Sequence, residues 1–212
     1  IGGFGGDGGK GGKVLADVQA DIAPTGTRAR GLLAQSVGGG GGVGGINISG
    51  AIQPQKAEKP VSISFGLGGF GGAGNISDDV TVNQLGSIFV EGFESTGLLA
   101  QSVAGGGGAG GLNIAAAITT GVDSYAIAAG VGGFGGEGAD AGDVMVRSVG
   151  AILVNSKIET NEGDETILLA GEYGGGSKGL HAQSIGGGGG QAGVNVTGAA
   201  VPNGNPITLG VG

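Results

Sequence analysis

Apolar residues fall on alternate positions in short runs along this chain, as in Val14 and Ala16, Val80 and Val82, and Val144 and Val146. Period two sustained over a few residues predicts β-strands with one apolar face. The triplets Ile63/Phe65/Leu67, Ile127/Ala129/Val131 and Ile207/Leu209/Val211 repeat the pattern, as do segments opening on Asn47-Ile48, Asn113-Ile114 and Asn195-Val196. Between them, Ile22, Ile88 and Ile152 each mark the end of a further short strand. These runs predict an all-β chain with almost no helix.

The runs recur in fixed phase. GGFGG stands at Gly2 to Gly6, Gly68 to Gly72 and Gly132 to Gly136, and AQS begins at Ala34, Ala100 and Ala182. Three copies of one unit result: residues 1–66, 67–130 and 131–210, with a fourth expected to open at 211–212 and the protein expected to continue beyond both ends. Each unit carries four or five strands. A short strand with one apolar face cannot bury it alone, so such repeats stack, and the apolar positions are expected to form one continuous core. This predicts a repetitive β-solenoid rod with ordered glycine-rich segments. With about 20 to 25 residues per coil, as in other repeat proteins, each unit would supply three coils. At about 4.8 Å per coil the rod would be roughly 40 to 50 Å long.

The third copy carries 24 residues, 155–178, where the others have six, 25–30 and 91–96. This insertion holds Glu159, Glu162, Asp164, Glu165 and Glu172 beside Ile167, Leu168, Leu169 and Tyr173. It reads as an acidic hairpin over the rod, with a recognition loop or cation site as the sharper alternative.

Glycine supplies 58 of the 212 residues, far above the globular average. Its runs at Gly38 to Gly42, Gly105 to Gly108 and Gly186 to Gly190 always separate two strand-like segments. Ordering each Gly costs about 0.5 to 1 kcal/mol relative to Ala. The fixed phase therefore predicts packed, polyproline-II-like segments in close backbone contact, in place of linkers. Gly40 is expected to have no room for a Cβ.

In GLLAQSV, alternation separates Leu32, Ala34 and Ser36 from Leu33, Gln35 and Val37. His181 replaces a Leu on the second face, so the first, with Leu98 and Leu180 as its other copies, is expected inside. Gln35, Gln101 and Gln183 are placed to form an amide ladder along the rod. His181 reads as an exposed strand residue. A serine nucleophile in AQS would need a nearby base that two of the three copies lack.

A formal charge of -8 gives no basic footprint for nucleic acid. No apolar run is long enough to span a bilayer, and no Trp is present for an aromatic girdle, so no membrane insertion of this region is expected. With no Cys and one His, neither a disulfide framework nor a His-based zinc site can form. GGFGGDGGK partly matches a calcium nonapeptide, but Ala73 and Glu137 replace Asp7 in the other copies. No catalytic, cofactor-binding or metal-binding residue is assigned, and no cofactor is expected.

The segments GLLAQSVGGGGG, GLLAQSVAGGGG and GLHAQSIGGGGG, each followed by an Asn-Ile-like strand, resemble the glycine-rich passenger repeats of large bacterial autotransporters. The resemblance implies display on, or release from, the Gram-negative surface, and roles in adhesion, aggregation or biofilm. The expected partners are neighbouring repeats, identical chains in a fibre and a surface ligand. A non-enzymatic fibre or adhesin segment is the reading taken. A glycine-rich ice-binding or other repeat-surface protein and a carbohydrate-active β-helix enzyme are the alternatives, the first wanting a regular Thr array and the second clustered carboxylates.

Overall fold

A computed structural model describes residues 1–54, 59–160, 166–170 and 175–212, without the side chains of 156–160 and 166–170. It contains no helix among the described residues. The first unit holds β1 (Val14–Val18), β2 (Arg30–Val37), β3 (Asn47–Gln53) and β4 (Val61–Leu67). The second holds β5 (Val80–Leu85), β6 (Ile88–Val90), β7 (Thr96–Val103), β8 (Asn113–Thr119) and β9 (Val122–Val131). The third holds β10 (Val144–Val149), β11 (Ile152–Val154), β12 (Ser156–Thr160), β13 (Thr166–Ala170), β14 (Lys178–Ile185), β15 (Asn195–Ala200) and β16 (Asn203–Val211).

Each copy of a strand pairs in parallel with its equivalents in the neighbouring units. The resulting sheets are β1-β5-β10, β6-β11, β2-β7-β14, β3-β8-β15 and β4-β9-β16. The register joins identical positions, as in Leu32↔Leu98↔Leu180 and Ile63↔Ile127↔Ile207. One unit is therefore one coil. This corrects the expectation of three coils per unit: three coils place the first and third rungs roughly 10 Å apart along the stack, against the expected 40 to 50 Å. The coil is far longer than the roughly 20 to 25 residues of other solenoids because it spends much of its length crossing between two lobes.

The crossings are glycine segments. Residues 1–12, 67–78 and 131–142 form one layer, and residues 38–46, 104–112 and 186–194 a second. In the first layer every third amide donates to the next coil, Gly2 to the Leu67 carbonyl (2.8 Å), Gly5 to Phe70 (2.7 Å), Gly8 to Ala73 (2.9 Å) and Gly11 to Ile76 (2.9 Å). The second layer repeats this, with Gly38 to Val103, Gly41 to Gly106 and Gly44 to Ala109, each 2.8 Å. The layers are stitched together antiparallel by Gly39 to Gly9, Gly42 to Gly6 and Gly45 to Gly3. A three-residue hydrogen-bond period is that of polyproline II, and these bonds, at about 0.5 to 1.5 kcal/mol net each, offset the entropy of ordering glycine. A Cβ on Gly41 would meet the Gly72 carbonyl, and one on Gly107 the Gly136 carbonyl. The ordered-glycine expectation holds, but not at Gly40, whose added Cβ would meet only the Gly106 oxygen at 3.5 Å. Every third residue of a polyproline-II segment points away from the bundle, and Gly40 is one of those.

At one end of the crossings, the first lobe wraps three sheets around an aliphatic core of Ile22, Val80, Val82, Ile88, Val90, Leu98 and Ala100. Ile22 joins the wall through a bridge to Ile88. The glycine of GLLAQSV is required here, because a Cβ on Gly97 would meet Ile88 Cγ2. At the other end, the second lobe packs the sheet of β3, β8 and β15 against that of β4, β9 and β16. Its interior is small and polar: Ala115, Ala117, Ala126 and Ala128 with Ser62, Ser64 and Thr119, all buried. Ser62 and Thr119 share a 2.6 Å hydrogen bond. The bulky alternate residues Ile63, Phe65 and Leu209, expected inside, point outward at 65%, 64% and 66% exposure. The inner side is set by the Asn47–Asn113–Asn195 ladder, which stands directly against Gly66 and Gly130, leaving no room for a larger residue on that face.

Candidate interaction surface

Stacking identical residues one rung apart turns single side chains into ladders. Asn47 Nδ2 donates to Asn113 Oδ1 (2.6 Å) and Asn113 Nδ2 to Asn195 Oδ1 (2.7 Å). On the outer face of the first lobe, Gln35 donates to Gln101 (3.3 Å) and Gln101 to Gln183 (3.0 Å), the amide ladder expected from the sequence. Phe4, Phe70 and Phe134 stack with ring centroids 5.1 and 5.4 Å apart. Period-two alternation does not reveal that aromatic ladder in GGFGG. A three-residue period, Gly-Gly-x, would have placed each Phe on one outward row.

The serines of AQS are hydrogen-bonded, with Ser36 and Ser102 buried and Ser184, on β14, exposed. Ser102 Oγ shares a hydrogen bond with Ser77 Oγ (2.7 Å), donates to the Asp78 carbonyl (2.9 Å) and accepts from the Gly142 amide (3.0 Å). Leu98 is fully buried and Leu99 7% exposed, and Leu32 is likewise less exposed than Leu33, as the face assignment requires. The third copy reverses the order. Leu180 is 37% exposed and His181 less so. β14 is one of the two edge strands of its sheet, and its inward side opens to solvent there, while His181 sits in a surface groove beside Leu99 and Lys178.

That groove, of about 370 Å³, also gathers Arg28, Arg30 and Glu94. Arg28 Nε donates to Glu94 Oε2 at 2.6 Å, and no other ion pair is formed by these residues among those described. Further along the stack, Lys10 and Lys13 pair with Asp78 and Asp79 at 3.6 and 3.5 Å. The Asp79 amide, donating to Asp78 Oδ1, holds the Asp78 carboxyl below its ordinary range; partial burial opposes this, and the Lys10 and Lys13 charges add to it. Among the described residues no group of three or more His, Cys, Asp or Glu could hold a metal ion.

The insertion forms an antiparallel hairpin in its backbone, β12 against β13, with Glu159 opposite Ile167. Glu162, Asp164, Glu165, Glu172 and Tyr173 lie outside the described residues.

No family model and no curated protein matches the chain. Among solved structures, the nine polyproline type II helical bundle springtail antifreeze protein from Granisotoma rainieri aligns at 16% identity over 92% of each chain, with a TM-score of 0.09. A score that low carries no argument about fold or function.

Proposed function

We propose that this chain is an extracellular structural and adhesive fibre segment, an autotransporter-type passenger stalk displayed on a bacterial surface, where it serves attachment, aggregation or biofilm formation. The observation that carries the reading is the in-register stacking of whole repeats. Each added unit extends the same ladders of Gln, Asn and Phe by one rung, so repetition multiplies a regular surface. A side-chain ladder suits repeated weak contacts to a surface ligand, which gain strength by multivalency. The experiment is protease shaving of intact cells that make the protein. Release of fragments carrying this region is expected, together with weaker cell-to-cell aggregation. Full protection in intact cells, with digestion only after lysis, would refute the surface reading.

A second reading, a repeat-surface binder such as an ice-binding protein, is favoured by the outward glycine row through Gly40, Gly106 and Gly188, which recurs once per rung with little but open space above it. Thermal hysteresis in a solution of the chain is the measurement that separates it.

A further inference from the structure

In a chain with 17 carboxylates and nine lysines and arginines, three cations of the first coil each meet a carboxylate of the next: Lys10 with Asp78, Lys13 with Asp79 and Arg28 with Glu94. Arg30 and Lys178 do not. Register pairing sets both against Thr96, one on either side, and neither forms an ion pair among the described residues. Two rungs separate them, roughly 10 Å. Both side chains are exposed, and both line the groove of about 370 Å³ that also holds His181. Three cations there face one carboxylate, Glu94, in a chain whose net charge is -8. The copies depart from one another at Arg30/Thr96/Lys178 and at Leu33/Leu99/His181, whereas the adjacent Gln35/Gln101/Gln183 column is identical in all three. The positive groove is thus assembled from three coils, and no single repeat contains it.

We infer that this groove binds an acidic saccharide, a sugar chain bearing carboxylate or sulfate groups, laid along the stack axis. An anionic group seated between Arg30 and Lys178 accepts charge-assisted hydrogen bonds, the strong kind, from a guanidinium on one side and an ammonium on the other. Thr96 and the Gln ladder supply uncharged partners for sugar hydroxyls, and His181 adds an imidazole N–H. Gln35 and Gln101 each spend one amide hydrogen on the next coil and keep the other. These partners recur every rung, about 4.8 Å, close to the advance of one ring along an extended sugar chain. Single-stranded nucleic acid is the poorer fit, because none of the described residues lining the groove is aromatic and able to stack a base. A strand-adding peptide fits no better, because the groove lies on the face of the β2-β7-β14 sheet and not along its open edge. The inference deepens the fibre reading by naming the chemistry of its surface ligand and rests on it only for biological setting. A chain that binds no saccharide would leave the protease-shaving result untouched.

The test is isothermal titration calorimetry of the whole chain at low ionic strength against polygalacturonate, dextran sulfate and neutral dextran. Binding to at least one of the two acidic polymers is expected, weakened by added salt, with none to dextran. Arg30→Gln/Lys178→Gln should lower the affinity roughly tenfold or more, as the loss of hydrogen bonds to charged groups does. Both side chains are exposed, so the thermal melt should be unchanged. Should the pair fail to fold, Lys178→Gln alone should show the same direction of loss, and Arg30→Lys/Lys178→Arg should keep most of the binding. The control Arg147→Gln removes one positive charge outside the groove and should leave the affinity intact. No binding to either acidic polymer overturns the inference, as does binding indifferent to the groove variants. A single-stranded oligonucleotide bound as tightly as the acidic polymers would overturn it in favour of phosphate polyanions. Binding that appears only in Glu162→Gln/Asp164→Asn/Glu165→Gln would overturn it too, by making the acidic insertion the occupant of the groove.

Discussion

Gly40 and Gly41 are neighbours in one run, yet they have opposite surroundings. Gly41 and its central-coil counterpart Gly107 face backbone, whereas Gly40 faces outward. Gly107→Ala should therefore destabilise the chain by about 1 to 3 kcal/mol, as overpacking does, despite the small entropic gain of losing a glycine. Gly40→Ala should stay within about 0.5 kcal/mol. Chemical unfolding midpoints of the two variants check this, and equal midpoints would contradict the packed bundle. Asp78 gives a test in pH. Its carboxyl is held low in the folded chain first by the Asp79 amide and then by the lysines, so the folded state binds fewer protons there than the unfolded state. Its stabilisation is complete above the unfolded carboxylate range and is lost as pH falls through the lowered folded value. Asp78→Asn should lower the melting temperature at neutral pH and flatten its acid limb, the two proteins converging in strong acid.

At the level of elements, burial depends on where a strand lies in its sheet. Leu98 lies on the central strand β7 and is fully buried, whereas its equivalent Leu180 on the edge strand β14 is partly exposed. Leu98→Ala should cost about 2 to 5 kcal/mol, the range for a buried large-to-small change, and Leu180→Ala clearly less; thermal melts of both variants measure the difference. Strand positions and the inner face of GLLAQSV were legible in the sequence because side chains alternate with period two and the repeats keep phase. The polyproline-II course of the glycine runs was legible from their position between strands. Which side of β4 faces inward was not. Alternation separates Ile63 and Phe65 from Ser62 and Ser64 but leaves the choice to packing, and here the Asn ladder beside Gly66 decides it. Coil length is likewise not given by alternation. The recurrence of the same residue at the same phase, Gln35, Gln101 and Gln183, is the mark of direct contact between copies one coil apart, whereas a borrowed coil length hides it.

For the whole molecule, the stack has a direction. In both glycine layers the amides bonded along the stack donate from one coil to the next, and the Gln and Asn ladders donate the same way. The Gly2 amide bonds the Leu67 carbonyl, so a coil begins and ends a single rung apart. That closeness gives the fold a mechanical character. A pull along the stack loads the outermost coil alone and peels its bonds in sequence, whereas a pull along the strands would shear many bonds at once. Equivalent positions Ile1, Leu67, Val131 and Val211 are separated by 66, 64 and 80 residues. Each of the two shorter coils thus pays out about 210 to 240 Å of extended chain, and the third pays out more. Force spectroscopy between the chain ends should show low-force steps of these lengths, one per coil. A single cooperative rupture would show that the coils do not yield independently. A tether built this way behaves as a reel, trading a short folded length for a long, gradual extension under load.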